Sequence, residues 1–268
     1  MTSPRLYRVS ALVLRQRELA EADRILLLLT SERGKLSALA KGVKKPRSKL
    51  AGGLQLFSHV RLLLAVGRNL DLITQCQPLE SFLPLRQDLH RFALASHLAE
   101  LADCFTEQGA RLSGLYDLLL NSLRALAVSP EPELIGRGFE LKLMNLLGYA
   151  PELSVCVSCG REKSEEKPSG AQPSIAFSVA LGGLVCSRCR RGMSGLVSLS
   201  PASLEAMWRL LRVSPQETSS VSPPAKIRGE LEGTLRAYLE FRLEKGLKSA
   251  VVLQALRPAA SRSGELAR

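Results

Sequence analysis

The chain has 268 residues, of which 46% are hydrophobic, and it carries a formal net charge of +12 with a sequence pI near 9.8. This length allows two domains with hydrophobic cores of their own. The longest apolar run, residues 25–29, is far too short to span a bilayer, and residues 1–8 lack the apolar stretch of a secretory signal. A cytoplasmic protein with a polyanionic partner is therefore expected.

The positive charge is concentrated at the N-terminal end of the chain. Residues 1–80 contain 14 lysines and arginines against six acidic residues, a net charge of +8, which leaves +4 for the other 188 residues. This segment is the expected polyanion-binding surface, although a charged run of this kind also occurs on a merely solvated face.

The same segment has the pattern of a small β-barrel. Five short stretches alternate or form buried apolar runs between glycine turns, at residues 7–14, 25–30, 36–40, 57–66 and 70–75. Residues 41–53, which are rich in glycine and lysine, interrupt them and are expected to form a mobile basic loop. Phe57 lies in an apolar stretch, so burial is expected for it rather than base stacking, and binding to nucleic acid should be mainly ionic.

The apolar spacing becomes helical from Ser81 onward. One long helix is predicted from Leu85 to Phe105, a second over residues 115–126, and a third from Pro132 to Gly148. Ser200 and Pro201 predict the start of another helix, and a final helix follows a Ser/Pro-rich linker at residues 214–224. Residues 162–173 and 258–268 are expected to be flexible.

Two C-x2-C knuckles are the most specific motif of the chain. Cys156 and Cys159 form the first knuckle, Cys186 and Cys189 form the second, and 26 residues separate them. Four thiolates match a closed tetrahedral zinc site, which has a structural role because it leaves no open coordination position for catalysis. A redox-active pair or unliganded thiols are the alternatives.

Signatures of catalysis are missing from the chain. The three histidines occur outside any H-x-E element, and neither a phosphate-binding G-x-x-x-x-G-K-[ST] motif nor a G-x-S-x-G motif occurs. A binding protein is favoured over an enzyme. The alternatives left open are a zinc-ribbon RNA- or ribosome-binding protein and a metal-dependent nuclease.

Several separate motifs resemble the bacterial recombination mediator family RecO. They are residues 21–42 (EADRILLLLTSERGKLSALAKG), 46–52 (PRSKLAG), 54–58 (LQLFS), 139–151 (FELKLMNLLGYAP), 156–160 (CVSCG) and 182–186 (GGLVC). The resemblance spans roughly residues 7–250. It implies an α+β multidomain chain with an OB-fold DNA-binding domain at residues 1–80, a helical domain at 81–150 and 197–250, an inserted four-cysteine zinc module at 151–196 and a flexible tail at 251–268.

The resemblance also implies a function without catalysis. A member of this family is expected to bind single- and double-stranded DNA, to anneal complementary strands without ATP, and to help RecR load RecA onto gaps covered by single-strand-binding protein (SSB). A nucleoid-associated location in the bacterial cytoplasm follows. One structural zinc ion carries over onto Cys156, Cys159, Cys186 and Cys189. The positions that match the family's basic surface are Lys35, Lys41, Lys44, Lys45, Arg47 and Lys49.

The acidic C-terminal tail of SSB is the expected peptide ligand. Such a peptide ends in an apolar residue and requires a hydrophobic pocket with cations at its rim. The helices offer six cations of this kind: Arg209, Arg212, Lys226, Arg228, Arg236 and Arg242.

Overall fold

A computed structural model of the chain describes residues 5–19, 21–162, 175–244 and 246–256. The described residues group into two compact units, one up to residue 128 together with residues 251–256, the other over residues 129–250. The helices assigned to one helical domain by the sequence are therefore divided, because those of residues 81–128 group with the N-terminal strands. Within the described part of the chain, no helix is long and apolar enough to cross a membrane.

The first unit contains a closed five-stranded barrel, which confirms the predicted OB-like fold. Its strands are β1 (Leu6–Glu18), β2 (Arg24–Thr30), β3 (Gly34–Ala40), β4 (His59–Ala65) and β5 (Asp71–Glu80), in the order β1-β2-β3-β5-β4. All neighbours are antiparallel except β3 and β5, which pair in parallel through Ala38 with Asp71 and Leu39 with Leu72. Five strands closed in this order are characteristic of OB folds.

Alternating apolar residues fill the interior of the barrel. Val9, Ala11 and Val13 point inward from β1, and Leu26 and Leu28 do so from β2. Because side chains along a strand alternate between two faces, Arg8 lies on the outer face of β1. A register shift between Val13 and Arg15 changes this alternation, and Arg15 and Arg17 are exposed as well. The barrel thus presents cations on its outer surface.

The connection between β3 and β4 differs from the mobile basic loop expected at residues 41–53. It consists of successive turns in which Lys45 N donates to Gly42 O at 3.1 Å and Ser48 N donates to Lys45 O at 2.9 Å. Val43 is buried in the barrel core. These apolar and backbone contacts give the segment a defined conformation. Phe57, at its end, is 2% exposed, as the sequence predicted, and it packs edge-on against Phe92.

Three helices complete the first unit, namely α1 (Leu83–Gln87), α2 (Leu89–Cys104) and α3 (Leu115–Val128). The expected single helix from Leu85 to Phe105 is wrong, because Asp88 is extended and interrupts it. The Asp88 carboxylate accepts a hydrogen bond from Arg91 N and caps α2. The apolar residues of α1 and α2 have the spacing of one continuous helix, but the cap at Asp88 begins a new helix.

The second unit combines helices with a small sheet. Its helices are α4 (Pro132–Leu146), α5 (Pro201–Arg212), a 3₁₀ helix (Pro215–Ser220) and α6 (Ala225–Leu243), and its strands are β6 (Ile175–Ser178), β7 (Gly183–Val185) and β8 (Leu196–Leu199) in the order β7-β6-β8. Ser200 caps α5 through Ser203 N, as predicted. The expected linker contains the 3₁₀ helix, which begins with a capping box between Ser214 and Glu217.

The last element that the structure describes is α7 (Lys248–Ala255). Residues 251–255, assigned by the sequence to a flexible tail, are therefore helical. The segment 162–173 expected to be flexible lies outside the described residues except for Glu162, and the segment 258–268 lies entirely outside them.

Candidate metal centre and nucleic-acid interface

The four knuckle cysteines come together in the second unit. The sulfur atoms of Cys156, Cys159, Cys186 and Cys189 all lie within 4.8 Å of one another, and all four thiols are free of disulfides. Cys156 and Cys186 are buried, Cys189 is half-buried and Cys159 is exposed. Among the described residues, no other group of three or more His, Cys, Asp or Glu side chains is close enough to hold a metal ion.

The two knuckles have the same local structure. Gly160 N donates to Cys156 O at 2.8 Å, and Arg190 N donates to Cys186 O at 3.0 Å, so each knuckle closes a turn after its second cysteine. Gly160 has a φ of 73°, which glycine adopts without a steric penalty. Strand β7 ends at Val185 and delivers Cys186 to the cluster, where Cys186 N donates to Cys156 Sγ at 3.3 Å.

The sulfur geometry fits a tetrahedral metal ion. A metal–sulfur bond of about 2.3 Å implies a sulfur–sulfur edge of about 3.8 Å, and Cys159 Sγ lies 3.7 Å from Cys186 Sγ. Burial by itself raises the pKa of Cys156, but backbone N–H groups that donate to its sulfur, from Cys186 first, lower that pKa to about 6. The site therefore favours thiolate at Cys156, which is the form that binds metal.

Four arginines lie within a few residues of the clustered cysteines in the chain, and sequence reasoning did not select them. Arg188, Arg190 and Arg191 on the second knuckle are exposed, and Arg161 after the first knuckle is half-buried. Their clustering within a few residues of the cysteines was visible in the sequence. The second unit therefore carries cations beside the cluster as well as on its helices.

Lys35 has to be removed from the expected DNA-binding surface. Its side chain is only 11% exposed, and its Nζ donates to Asp103 O at 2.7 Å and to Asp103 Oδ1 at 2.9 Å. An ammonium held by two acceptors in a nearly dry environment is not available to a phosphate. Sequence position alone grouped Lys35 with the exposed lysines that follow β3.

The other five expected cations do lie on the surface of the first unit. They are Lys41, Lys44, Lys45, Arg47 and Lys49, and each is exposed. Lys44 Nζ lies 2.7 Å from Glu18 Oε1, an exposed pair that solvent weakens. We refer to these five residues as the basic segment. Because they belong to successive turns, they present several charges within a short length of chain.

The six cations considered for an acidic peptide have different surroundings. Arg228 is committed to Glu131 through two hydrogen bonds, one of them 2.8 Å from Nη2 to Oε1. Arg209 donates to Ser220 O at 3.0 Å, while Lys226 is exposed and Arg236 is half-buried.

Two of the six cations stack on partly exposed aromatic rings. The Arg212 guanidinium lies 3.2 Å from the centroid of the Trp208 ring, which is 41% exposed. Arg242 lies 4.9 Å from the Tyr149 ring centroid and 5.7 Å from that of Phe241. Each of these places combines a positive charge with exposed apolar surface.

Two family models together match nearly the whole chain. The model described as recombination protein O N terminal matches residues 1–82, and the model described as recombination protein O C terminal matches residues 86–250. The boundary between the two matches falls after the barrel and before α2.

Curated relatives match nearly the full length of the chain. The DNA repair protein RecO of Symbiobacterium thermophilum is 39% identical over 255 residues, which are 95% of this chain and 99% of the relative. The RecO of Heliobacterium modesticaldum is 40% identical over 262 residues, 98% of this chain and 94% of the relative. The RecO of Roseiflexus sp. is 38% identical over 259 residues, which are 94% of this chain and 87% of the relative.

These matches give no support to the alternative of a zinc-ribbon RNA- or ribosome-binding protein. The matches extend through both the barrel and the second unit with its cysteine cluster, and the relatives are 38–40% identical to this chain. The chain belongs to the recombination protein O (RecO) family.

Proposed function

We propose that the chain is a non-catalytic recombination mediator in bacterial DNA repair. It binds single- and double-stranded DNA, anneals complementary strands without ATP, including strands coated with SSB, and acts with RecR to load RecA onto SSB-covered gaps. The observation that carries the proposal is the closed OB-like barrel with an exposed basic segment, in a member of a family whose curated relatives are named DNA repair proteins.

The basic segment acts by neutralising phosphates. Each phosphate that a lysine or arginine neutralises releases condensed counterions, so binding is tight at low salt and falls steeply as salt rises. A surface that contacts backbone phosphates lowers the repulsion between two strands while their pairing edges stay accessible. This is the physical requirement for annealing without a nucleotide-driven step.

Zinc is the metal that best suits the cysteine cluster. Four thiolates at tetrahedral spacing form a closed site, and such sites stabilise small folds that have little core of their own. The sheet β7-β6-β8 is of this size, with strands of three and four residues. In this proposal residues 151–196 form a zinc module inserted between helical segments, and Cys156, Cys159, Cys186 and Cys189 hold one structural ion.

The acidic tail of SSB would bind in the second unit beside a stacked arginine. Arg242 with Tyr149 and Phe241, and Arg212 with Trp208, offer a cation for an acidic residue and an aromatic surface for an apolar one. Arg228 is less suited because Glu131 already neutralises it. Charge reversal at Arg242 and at Arg212, tested separately against a tail peptide, would distinguish the two places.

The decisive experiment measures annealing of complementary DNA strands precoated with SSB, without ATP, in parallel with SSB that lacks its acidic tail. Acceleration that depends on the tail would support a mediator that recognises SSB. If binding to bare strands is salt-sensitive but coated strands are not annealed faster, the proposal is reduced to a general DNA-binding function. Cleavage of the strands in the presence of a divalent metal would overturn the non-catalytic assignment.

A further inference from the structure

A cavity of about 330 Å³ opens on the outside of the barrel, and none of the five residues of the basic segment lines it. Its lining residues are Tyr7 of β1, Arg33 of the β2–β3 turn, Asp71 of β5, and Gln108 with Gly109 from the segment between α2 and α3, together with Lys35 and Leu36. This volume is at the lower end of the range, about 300–1,000 Å³, that small-ligand clefts occupy. The cavity lies entirely within the first unit.

One wall of the cavity is built by a close approach of two backbones. Gly109 N donates to Lys35 O at 2.7 Å, and Lys35 and Gln108 form an isolated parallel bridge. Gly34, with a φ of 65°, has the oxygen of Ala110 only 2.0 Å from the position that a Cβ would occupy. No larger residue fits at position 34 unless the backbone at Ala110 moves. The wall is thus a specific feature of the fold.

A stacked tyrosine and arginine also line the cavity. The Arg33 guanidinium lies 3.9 Å from the centroid of the Tyr7 ring, the distance of a planar cation–π contact. The Tyr7 hydroxyl donates to Oδ2 of Asp71. The other oxygen of this carboxylate, Oδ1, accepts from Gly67 N at 3.0 Å. These bonds hold the ring in place.

The turn that carries Arg33 is also held rigidly. Arg33 N donates to Thr30 Oγ1 at 3.0 Å, and Thr30 Oγ1 donates to Gly34 O at 2.8 Å. The arginine itself is exposed. An exposed planar guanidinium, supported by an aromatic ring and anchored at its backbone, is a surface on which a nucleobase can stack.

We propose that this cavity takes one unpaired nucleobase of a bound DNA strand, stacked on the Arg33–Tyr7 pair, with the Gln108 amide able to reach the edge of the base. The inference rests on the proposed function and deepens it by adding a base contact to the phosphate contacts of the basic segment. A base in a duplex is stacked on both faces, so this contact is specific to single strands.

The position of the cavity fits one strand that also reaches the basic segment. The cavity lies beside the first residues of β3, and Lys41 follows the end of that strand, six residues beyond Lys35 or about 20 Å away. A single-stranded site of several nucleotides, within the range of about 4–16 per OB fold, covers this distance. One stacked base anchors the strand and leaves the other bases available for pairing.

The test compares an intact oligonucleotide of about 16 nucleotides with an abasic one of the same length, which keeps every phosphate and lacks every base. Wild type should bind the intact strand about 5- to 150-fold more tightly, the range that corresponds to loss of one base–aromatic stack. Arg33→Lys keeps the charge but not the planar surface, so it should bind both strands with nearly equal affinity.

Two variants of Tyr7 and one matched control complete the design. Tyr7→Phe keeps the ring and should retain the preference for the intact strand, whereas Tyr7→Leu should lose it. Arg61→Lys makes the same chemical change at an exposed position of β4 and should behave as wild type. Circular dichroism and thermal unfolding establish that each variant is folded.

The outcomes separate this inference from the proposed function. Equal binding of intact and abasic strands by wild type, with a steep salt dependence, would overturn the stacking site and leave the ionic function standing. An undiminished preference in Arg33→Lys would also overturn it. Absence of salt-dependent binding to either strand would contradict the proposed function itself.

Discussion

The ammonium of Lys35 lies 2.9 Å from Asp103 Oδ1 and also donates to the backbone oxygen of Asp103 at 2.7 Å. Asp103 Oδ2 in turn accepts from Arg15 Nη2 at 2.8 Å. One carboxylate at the end of α2 thus joins β1 and β3 of the barrel. A residue that local sequence places in a DNA-binding surface has a structural role.

Replacing Asp103 with asparagine should destabilise the first unit. The substitution leaves the nearly buried Lys35 ammonium without its counter-charge, and we expect the free energy of unfolding to fall by about 1–3 kcal/mol. Urea unfolding of the two proteins measures the difference. Glu18→Gln, which breaks the exposed pair with Lys44, is the matched control and should leave the midpoint unchanged. An equal effect of both substitutions would contradict the structural role of Lys35.

Neutralising Lys44, Lys45, Arg47 and Lys49 together should reduce the salt dependence of DNA binding. For single strands, the slope of log affinity against log salt should flatten by roughly 0.7 for each phosphate contact that is lost. Titrations with a fluorescent oligonucleotide at several salt concentrations measure this slope. Arg61→Gln removes one exposed charge from β4, outside the basic segment, and should leave the slope nearly as in wild type. A slope that does not change in the fourfold variant would place the binding surface elsewhere.

Replacing Cys156 with serine should remove the metal and destabilise the second unit. Three thiolates hold zinc far less tightly than four, and the short strands around the cluster depend on the ligand bonds. Metal analysis of the purified protein and its thermal unfolding curve provide the two readouts. Cys76→Ser changes a half-buried thiol outside the cluster and should retain one zinc ion per chain. Normal zinc content in Cys156→Ser would exclude this cysteine as a ligand.

Acid should destabilise the first unit partly through Glu80. Hydrogen bonds from Arg124, and a weaker contribution from His59, lower the pKa of Glu80 below its usual value. The folded protein therefore binds a proton at this site less readily than the unfolded chain does. The stabilising effect of ionised Glu80 is complete above the pKa that this carboxyl has in the unfolded chain. It is lost as the pH falls through the lower pKa that the carboxyl has in the folded protein.

Glu80→Gln should accordingly flatten the decrease of unfolding free energy that occurs as the pH falls below the ordinary pKa of a glutamate, about 4.5. Urea midpoints measured at several pH values test this expectation. Glu21→Gln, at an exposed position before β2, serves as the control and should follow the wild-type curve. If Glu80→Gln loses stability with acid as steeply as wild type does, the acid sensitivity arises at other groups.

Local patterns were sufficient for much of this molecule. The four cysteines follow from spacing alone, since two residues between thiols place both on one side of a tight turn. The strand and helix positions follow from apolar periods of two and 3.6 residues, and the cap at Ser200 follows from its hydroxyl and the proline after it. The break at Asp88 was missed because apolar spacing continues across it.

The sequence by itself determined the barrel strands, most of the helix positions, the two cysteine knuckles and the excess of positive charge, because each of these follows from residue types and their spacing along the chain. Tertiary structure alone decided which cations are available. Lys35 meets an acid 68 residues away, and Arg33 meets the ring of Tyr7 on another strand. The free energy of such a contact depends on distance and burial after folding, which no local pattern contains.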